Sequence, residues 1–208
     1  MFHKYNRVLL CGAIMIGAAS TSGADEIRVG AMSHDVTLDF VVDYRPKLED
    51  GLVLSLEYIW DQPHWLAWAG NARPYVYGAV NLAGDTNHGG AGLNFQKNFA
   101  SRYYVEYEVG LSVHDGTTKI ELISDEEFDA LSITDRRAYL DNYFSRLDSE
   151  IEFGSPVLIR NQFALGYRFN ETWSADVSWE HLSHGLLFDE DRNDGLDNFG
   201  LRVSRKFN

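Results

Sequence analysis

The feature that most constrains this chain is an alternation of apolar and polar residues, repeated in segments of roughly ten residues with short polar breaks between them. The clearest segment is 172–183, whose odd positions are Trp173, Ala175, Val177, Trp179, His181 and Ser183. A period of two is the side-chain period of a β-strand, and about ten residues let one strand cross a membrane. Similar segments lie at about 27–43, 51–61, 72–83, 89–99, 103–113, 157–169 and 198–207. The sequence therefore predicts eight strands and an all-β fold.

Two all-β architectures use such strands, a soluble sandwich and a transmembrane barrel, and the polar face of the strands does not distinguish them. Aromatic residues near the predicted strand ends favour the barrel, because they suit the two membrane interfaces. They are Tyr58, Trp60, Tyr103, Phe169, Trp173 and Phe207. Short turns also alternate with longer loops, which include 114–155 and 185–196. We therefore predict an eight-stranded antiparallel transmembrane β-barrel with long extracellular loops, and the sandwich remains the alternative.

The balance of charge excludes one class of function. The chain has 18 Lys and Arg against 31 Asp and Glu, a formal net charge of −13, which repels nucleic acid. The charged side chains on the polar parity of the strands are Glu57, Glu106, Glu108, Arg160, Arg168, Asp176, Glu180, Arg202 and Lys206. A barrel of about eight strands is filled by its own side chains, so we expect these groups to pair as a structural network and not to line a pore.

The N-terminus has the organisation of an export signal. Two basic residues precede an apolar run over 8–19, and small residues follow over 22–24. This pattern predicts a secretory signal peptide over 1–24 and an outer-membrane barrel over 25–208. A short membrane anchor is disfavoured because the apolar run is too brief to span a bilayer. A lipoprotein is disfavoured because Leu10, which is not a small residue, precedes the only cysteine.

The long loop at about 114–155 carries a helical pattern of its own. Ser124 and Glu127 have the spacing of a capping box, which marks a helix N-terminus. Apolar and aromatic residues at helical spacing follow, namely Tyr139, Leu140, Tyr143, Phe144 and Leu147. We expect one or two short helices over the barrel rim. A plain surface insertion is favoured over a substrate lid.

Three residues with the chemistry of a nucleophilic triad fall on the apolar parity of the last two predicted strands. His181 and Ser183 are two residues apart on one strand and therefore share a face. Asp197 opens the last strand on the same parity, and the hairpin between the strands brings it opposite His181. Ser183 can attack an acyl carbon, His181 can move the proton and Asp197 can fix the imidazole. The alternative is that these are ordinary polar residues at a barrel rim, where a charge costs only about 0–1 kcal/mol.

The residues around this triad resemble a known family. The segments that carry the resemblance are Trp179–Gly185, Asn193–Gly200, Ala72–Tyr75, Gly84–Thr86, Val113–Gly116 and Gly154–Val157. They are similar to the PagL family of outer-membrane lipid A 3-O-deacylases and to the broader acyloxyacyl hydrolase group. The resemblance implies an eight-stranded barrel with a lipid-facing triad, in which His181 is the general base, Ser183 the nucleophile and Asp197 the orienting acid. The loop residues that it implies near the oxyanion are Asn193, His184 and Gly185.

Two positions depart from the family pattern. Asp197 stands where well-known members carry Glu, and its side chain is one methylene shorter, so the last strand must lie closer to His181 or the orienting group is weaker. His184 stands where those members carry Asn, and its parity is opposite to that of Ser183. The resemblance therefore leaves the role of His184 open.

Taken with the triad, the resemblance implies a serine esterase of the outer membrane that removes the 3-O-linked hydroxyacyl chain of lipid A and so remodels lipopolysaccharide. No metal and no organic cofactor are expected. The expected partners are lipid A or lipopolysaccharide and outer-membrane lipid, with no nucleic acid, and the sequence is compatible with a homodimer. The alternative is a non-enzymatic small outer-membrane barrel, an adhesin or structural protein, in which intact His181, Ser183 and Asp197 would have no purpose.

Overall fold

The computed structural model describes residues 25–37, 47–70, 72–185 and 193–207. The predicted signal peptide over 1–24 lies outside the described residues. The strands are β1 (Asp25–Ser33), β2 (Leu52–Ile59), β3 (Ala72–Asn81), β4 (His88–Asn98), β5 (Tyr103–His114), β6 (Val157–Arg168), β7 (Trp173–Ser183) and β8 (Leu196–Phe207). A short 3-10 helix (His64–Ala69) and the α-helices α1 (Asp125–Ala130) and α2 (Ile133–Leu147) complete the described elements.

The strands form one closed antiparallel barrel. Each strand pairs with its neighbour in the chain, and β1 pairs with β8, from Asp25 opposite Phe207 to Ser33 opposite Phe199. Closure satisfies the backbone hydrogen-bonding groups of every strand on both sides, as a membrane-spanning sheet requires. The predicted eight-stranded antiparallel barrel is confirmed.

The first strand is shorter than its sequence pattern predicts. The alternation suggested 27–43, whereas β1 ends at Ser33. The His34 amide still donates to the Gly51 carbonyl at 3.1 Å, and the chain then turns out of the sheet because Asp35 adopts a left-handed φ of 48°. The remainder of the predicted strand, from residue 38 onward, lies outside the described residues.

The outer wall of the barrel is apolar. Large side chains that are more than half exposed include Val29, Leu56, Val80, Leu111, Leu165 and Leu201. The 11 residues of β7 extend about 34 Å along the strand, which at the usual tilt of such strands covers an apolar band about 25 Å tall. Trp173 begins this strand and Ser183 ends it, so Ser183 lies at the loop edge of the band.

The barrel interior is filled by paired charges with Arg28 at their centre. Its guanidinium donates to Glu106 at 2.6 and 2.9 Å and to Glu108 at 2.7 Å. It also donates to Glu26 at 2.9 Å and, through Nε, to Ser204 Oγ at 2.8 Å. One side chain of β1 therefore links the interior of β1, β5 and β8.

Arg160 and Arg202 extend this network. Arg160 donates to Glu180 at 2.6 Å and to Glu108 at 2.7 Å, and Arg202 donates to Asp176 at 2.7 Å. The predicted inward-facing residues that are buried are Glu57, Glu106, Glu108, Arg160, Asp176, Glu180 and Arg202, while Arg168 and Lys206 are half-buried. The pairing satisfies charges that would otherwise be costly to bury.

A small apolar core closes the loop end of the barrel. It consists of the buried residues Ile151, Phe153, Leu158, Leu182 and Leu196, with Leu48 packed against them. Leu182 and Leu196 belong to β7 and β8, and Ile151 and Phe153 to the end of the long loop. The loop thus packs directly on the strand ends that carry the candidate triad.

A buried carboxylate joins three loops beside this core. Glu49 accepts a hydrogen bond from Thr86 Oγ1 at 2.9 Å and lies 2.8 Å from His34 Nε2. It also accepts from the Ile151 amide at 3.4 Å. Glu49 and His34 lie in the loop between β1 and β2, Thr86 lies in the loop between β3 and β4, and Ile151 lies in the loop between β5 and β6. The hydrogen bonds of Glu49 therefore connect these three loops at this end of the barrel.

The long loop carries the two helices that the sequence pattern predicts. Ser124 and Glu127 form the capping box of α1, and Ser132 caps α2 by accepting from the Asp135 amide at 3.2 Å. Both helices have no buried residue, so they lie on the outside of the loop as an insertion. Among the described residues, no helix is long and apolar enough to cross a membrane.

An ion pair follows α2 and fixes the returning chain. Arg146 donates from Nε and Nη2 to the two carboxylate oxygens of Glu150, each at 2.8 Å, and Thr117 donates to the same carboxylate at 2.5 Å. The hydrogen bonds from Arg146, with that from Thr117, lower the pKa of Glu150 from its ordinary value. Because the pKa is lowered in the folded state, this stabilisation is present at neutral pH and is lost as the pH falls through that pKa.

The charge network generates a test of stability. Replacing Arg28 by Met removes both of its hydrogen bonds to Glu106 and one of the two arginines that pair with Glu26, and it leaves the buried network short of one positive charge. We expect the free energy of unfolding to fall by about 3–5 kcal/mol, because a buried charge is left uncompensated. Urea unfolding in micelles, followed by the heat-dependent gel mobility of the barrel, measures the change. Arg102→Met, at an exposed guanidinium, is the matched control. An Arg28→Met midpoint equal to that of the control would contradict the network.

Candidate active site

The register of β7 and β8 brings His181, Ser183 and Asp197 together on the outer wall. His181 is directly opposite Asp197 in the sheet. Its Nδ1 lies 3.0 Å from Asp197 Oδ1, and its Nε2 lies 3.1 Å from Ser183 Oγ. The imidazole therefore bridges a hydroxyl and a carboxylate through its two ring nitrogens, which is the arrangement that activates a serine nucleophile.

Trp179 supplies a second hydrogen bond to the carboxylate. Its Nε1 donates to Asp197 Oδ1 at 2.8 Å, the same oxygen that faces His181. The Asp197 side chain is 18% exposed and that of His181 is 33% exposed. Two hydrogen-bond donors fix the orientation of this half-buried carboxylate. Because Asp197 lies directly opposite His181 in the sheet, its short side chain still reaches the imidazole.

The backbone at Asp197 is held by a hydrogen bond from the loop between β1 and β2. The carbonyl of Asp197 accepts from the Val36 amide at 2.8 Å, beyond the point where β1 leaves the sheet. Glu152 and Asp194 form a further connection, because the Glu152 amide donates to Asp194 Oδ2 at 3.1 Å and the Asp194 amide donates to the Glu152 carbonyl at 3.2 Å. The start of β8 is therefore anchored from two loops.

The predicted oxyanion residues lie on both sides of a segment whose middle, 186–192, is outside the described residues. Asn193 Oδ1 accepts from the His184 amide at 3.1 Å, so Asn193 joins the two ends of this loop. Gly185 is exposed and has a φ of 60°. The His184 side chain is fully buried, which agrees with its parity opposite to that of Ser183.

A glycine that the sequence pattern did not single out lies against the triad. Gly195 has a φ of 65°. A Cβ atom at this position would lie 3.2 Å from Cε1 of His181 and 3.7 Å from Cβ of Ser183. The absence of a side chain lets the backbone pass close to the imidazole. The left-handed φ also favours glycine at this position.

A row of four aromatic side chains lies below the triad on the outer wall. Tyr107, Phe163, Trp179 and Phe199 are consecutive cross-strand partners from β5 to β8. The ring centroids of Tyr107 and Phe163 are 4.7 Å apart, and those of Phe163 and Trp179 are 5.8 Å apart. The row lies within the apolar wall, because the exposed side chain of Leu111 continues this wall on the loop side of the row. The triad therefore lies on the loop side of the row, at the outer edge of the apolar wall.

Sequence reasoning also missed Asn161, which faces outward from β6. It is directly opposite His181, on the side away from Asp197, and Tyr107 donates to its Oδ1 at 2.8 Å. A signal was present, because Asn161 is a polar residue on the parity of Ile159 and Phe163, which are apolar. The sequence alone does not show that it lies beside the imidazole.

No group of three or more His, Cys, Asp or Glu side chains is placed to hold a metal ion within the part of the chain that the structure describes. The side chains of the site are instead a hydroxyl, an imidazole and a carboxylate in a hydrogen-bonded series, open to the membrane side of the wall. Such a group can perform acyl transfer through a covalent serine ester.

Gly195 provides a test of how closely the triad is packed. In Gly195→Ala the new methyl would press on the His181 ring, so we expect phosphonylation of Ser183 by a fluorophosphonate probe to slow by about tenfold or more. Gly70→Ala is the matched control, because Gly70 also has a positive φ, of 69°, but its Cβ would meet nothing within 4 Å. Equal labelling rates in the two variants would show that Gly195 does not constrain the imidazole.

Residues 138–206 match the family described as lipid A 3-O-deacylase (PagL). No curated protein shows significant sequence similarity to the chain. The solved structure of the outer membrane enzyme PagL has a TM-score of 0.52 and 14% identity, and the match covers 86% of this chain and 98% of that one. Neisserial surface protein A has a TM-score of 0.49 and 10% identity, with 89% and 99% covered.

The family match and the fold match differ in what they cover. The structural similarity to PagL extends over most of the barrel and shows that the fold is shared. The family match covers about a third of the chain, from α2 to the end of β8, and this third contains His181, Ser183 and Asp197. The chain is therefore similar to the PagL family over its last strands, and it shares the barrel fold of PagL.

Proposed function

We propose that this protein is an outer-membrane serine esterase that removes the 3-O-linked hydroxyacyl chain of lipid A. The observation that carries the proposal is the hydrogen-bonded series Ser183, His181, Asp197 on the lipid-facing wall. The family match over 138–206, described as lipid A 3-O-deacylase, supports lipid A as the substrate. The proposed location is the outer membrane, reached by export through a cleaved signal peptide.

The position of the triad suits an ester at a membrane interface. Ser183 lies where the apolar wall ends and the loops begin, while the aromatic row lies deeper in the membrane. In lipid A the ester bonds join sugar hydroxyls to acyl chains, at the boundary between the polar and apolar layers. A lipid A molecule beside the barrel can therefore present its ester to Ser183 while its chains stay against the apolar wall.

The reaction proceeds in two acyl-transfer steps. Ser183 Oγ attacks the ester carbonyl carbon while His181 Nε2 takes the hydroxyl proton. The imidazolium, held by Asp197 at Nδ1, then gives this proton to the departing sugar oxygen, which leaves as the free 3-hydroxyl. Water attacks the acyl-serine with His181 again as base, and release of the fatty acid restores the Ser183 hydroxyl.

The loop after β7 is proposed to stabilise the oxyanion. The His184 amide already donates to Asn193 Oδ1, so it is not free to serve the oxyanion. The Gly185 amide and the side-chain nitrogen of Asn193 are the remaining donors among the residues that the family resemblance indicates. Two such donors aimed at the developing charge lower the barrier of the acyl-transfer step.

The first test of the proposal removes the nucleophile and the base. In Ser183→Ala or His181→Ala we expect release of the hydroxy fatty acid from lipopolysaccharide to fall by several orders of magnitude, because neither residue can be replaced within a triad. Mass spectrometry of lipid A measures the loss of the acyl chain. The heat-dependent gel shift serves as the control that both variants still form the barrel.

Two results would contradict the proposal. Full deacylation by folded Ser183→Ala would mean that another residue is the nucleophile. Lipid A that is unchanged by the folded wild-type protein would favour the non-enzymatic barrel, in which the three residues have no chemical role.

Asp197 gives a sharper test, because the family pattern has Glu at this position. Asp197→Asn keeps the shape of the side chain but removes the charge that holds the imidazole in one tautomer. We expect the turnover rate to fall by up to about ten-thousand-fold, as an equivalent change does in a serine protease. Initial deacylation rates at matched amounts of folded protein measure the effect.

Asp197→Glu is the companion variant. We expect a smaller effect than that of Asp197→Asn, because the negative charge is kept while the carboxylate moves by one methylene. The Trp179 Nε1 hydrogen bond to the carboxylate oxygen is also adapted to the shorter side chain. If Asp197→Asn works as fast as the wild type, Asp197 does not orient His181.

A further inference from the structure

Asn161 is a polar side chain on the outer wall, where the neighbouring outward-facing residues of β6 are apolar. Ile159 precedes it and Phe163 follows it on the same parity, and the Phe163 side chain is 49% exposed. Asn161 itself is half-buried. An amide that faces lipid costs free energy unless its hydrogen bonds are made, so a polar residue at this position indicates a functional role.

One end of the amide is fixed within the protein. The Tyr107 hydroxyl donates to Asn161 Oδ1 at 2.8 Å. The Asn161 side-chain nitrogen donates to no residue in the described part of the chain. Tyr107 therefore holds the plane of the amide and leaves two N–H donors available on the membrane side.

The position of Asn161 relative to the triad follows from the sheet register. Asn161 is opposite His181, and Ile159 is opposite Ser183. Asn161 is therefore two residues, about 7 Å along the strand, deeper in the membrane than the Ser183 level. Asp197 lies on the other side of the same imidazole. The Asn161 amide thus borders the site on the side toward which the acyl chain runs.

The same aromatic row supports both neighbours of His181. Trp179 reaches from the row to Asp197, and Tyr107 reaches from the row to Asn161. Both polar tips of these rings point toward the level of the imidazole, whereas Phe163 between them has no polar atom. The Asn161 side chain is therefore oriented by a hydrogen bond from the aromatic row, as the Asp197 carboxylate is.

An oxyanion donor must lie at the level of the ester carbonyl that Ser183 attacks. Asn161 lies two residues deeper, at the level where the first carbons of an acyl chain would run if its ester were held at Ser183. The polar group that a 3-hydroxyacyl chain carries there is its own hydroxyl, two carbons beyond the carbonyl carbon. We propose that Asn161, held by Tyr107, is the subsite that binds this hydroxyl and makes the enzyme selective for 3-hydroxyacyl esters. This inference rests on the proposed function.

The role of the amide is selectivity and not chemistry. A site that hydrogen-bonds a substrate hydroxyl disfavours the analogue that lacks it, because the donor is then left without a partner. The free N–H groups of Asn161 donate to the hydroxyl oxygen, and a simple acyl chain leaves them unpaired against hydrocarbon. The hydroxyl also fixes the rotation of the chain near the carbonyl, which helps to present the ester to Ser183.

The test compares two esters of equal chain length on glucosamine 1-phosphate, one 3-O-(3-hydroxyacyl) and one 3-O-acyl without the hydroxyl. The measured quantity is the ratio of their kcat/KM values in mixed micelles. We expect the wild type to prefer the hydroxylated ester by about tenfold, the worth of one hydrogen bond. In Asn161→Leu the ratio should fall to near one, because the rate on the hydroxylated ester falls more than the rate on the other ester.

Tyr107→Phe removes the hydroxyl that orients the amide, and we expect an intermediate ratio. Tyr103→Phe is the matched control, because Tyr103 lies on the same face of β5 near the other membrane edge. Its ratio should equal that of the wild type. The expected pattern is therefore a change in selectivity that follows the amide and its orienting hydroxyl, and no other tyrosine of the strand.

Two results overturn the inference while leaving the proposed function intact. The first is a wild type that cleaves both esters equally fast. The second is an Asn161→Leu variant that loses the same factor on both esters, which would make Asn161 only a support for His181. Failure of the proposed function is distinguishable, because then the wild type and Ser183→Ala would show the same lack of cleavage on either ester.

Discussion

The constraint on which the rest of this structure depends is the closure of the barrel between its first and last strands. Pairing of β1 with β8 leaves no strand edge, and it fixes the register of every strand around the circle. Because side chains alternate between the two faces, the register decides which residues meet lipid and which meet the interior. A slip of one residue in β8 would turn Asp197 into the barrel and Asn198 out of it. The interior charges and the triad therefore depend on the same hydrogen-bond ladder.

The inner face of the barrel wall carries the charge pairs that stabilise the fold, and the outer face carries the candidate triad. Inside, Arg28, Arg160 and Arg202 are buried and paired with carboxylates from other strands. Outside, Asn161, His181 and Asp197 lie side by side at one height on three neighbouring strands. The proposed reaction requires its reactive groups on this outer face, because a lipid in the plane of the membrane meets only the outer wall of a barrel.

Much of the fold and the positions of the triad residues could be predicted from the sequence, because both follow from a period of two. The parity that separates apolar from polar positions also places His181, Ser183 and Asp197 on one face. Arg28 at the centre of the interior was missed, because β1 is short and its alternation is weaker than that of β7. The period also does not describe how far a side chain reaches, so the bonds from Trp179 to Asp197 and from Tyr107 to Asn161 were not foreseen. Gly195 was missed because its constraint is a backbone angle in a loop.

The span of the Arg28 contacts has a consequence for how the chain reaches its folded state. The partner of its Nε, Ser204, is 176 residues away in the sequence, and Glu106 is 78 residues away. Contacts between such distant parts of a chain form late and slowly, because the entropy of closing a long segment must be overcome first. Before β5 and β8 have arrived, the guanidinium has only the nearby carboxylates of Glu26 and Glu57 as partners, and its hydrogen bonds to Glu106 and Ser204 form last. Folding of the barrel is therefore one cooperative event, and the chain has to stay unfolded and protected from aggregation until all of its strands can assemble together.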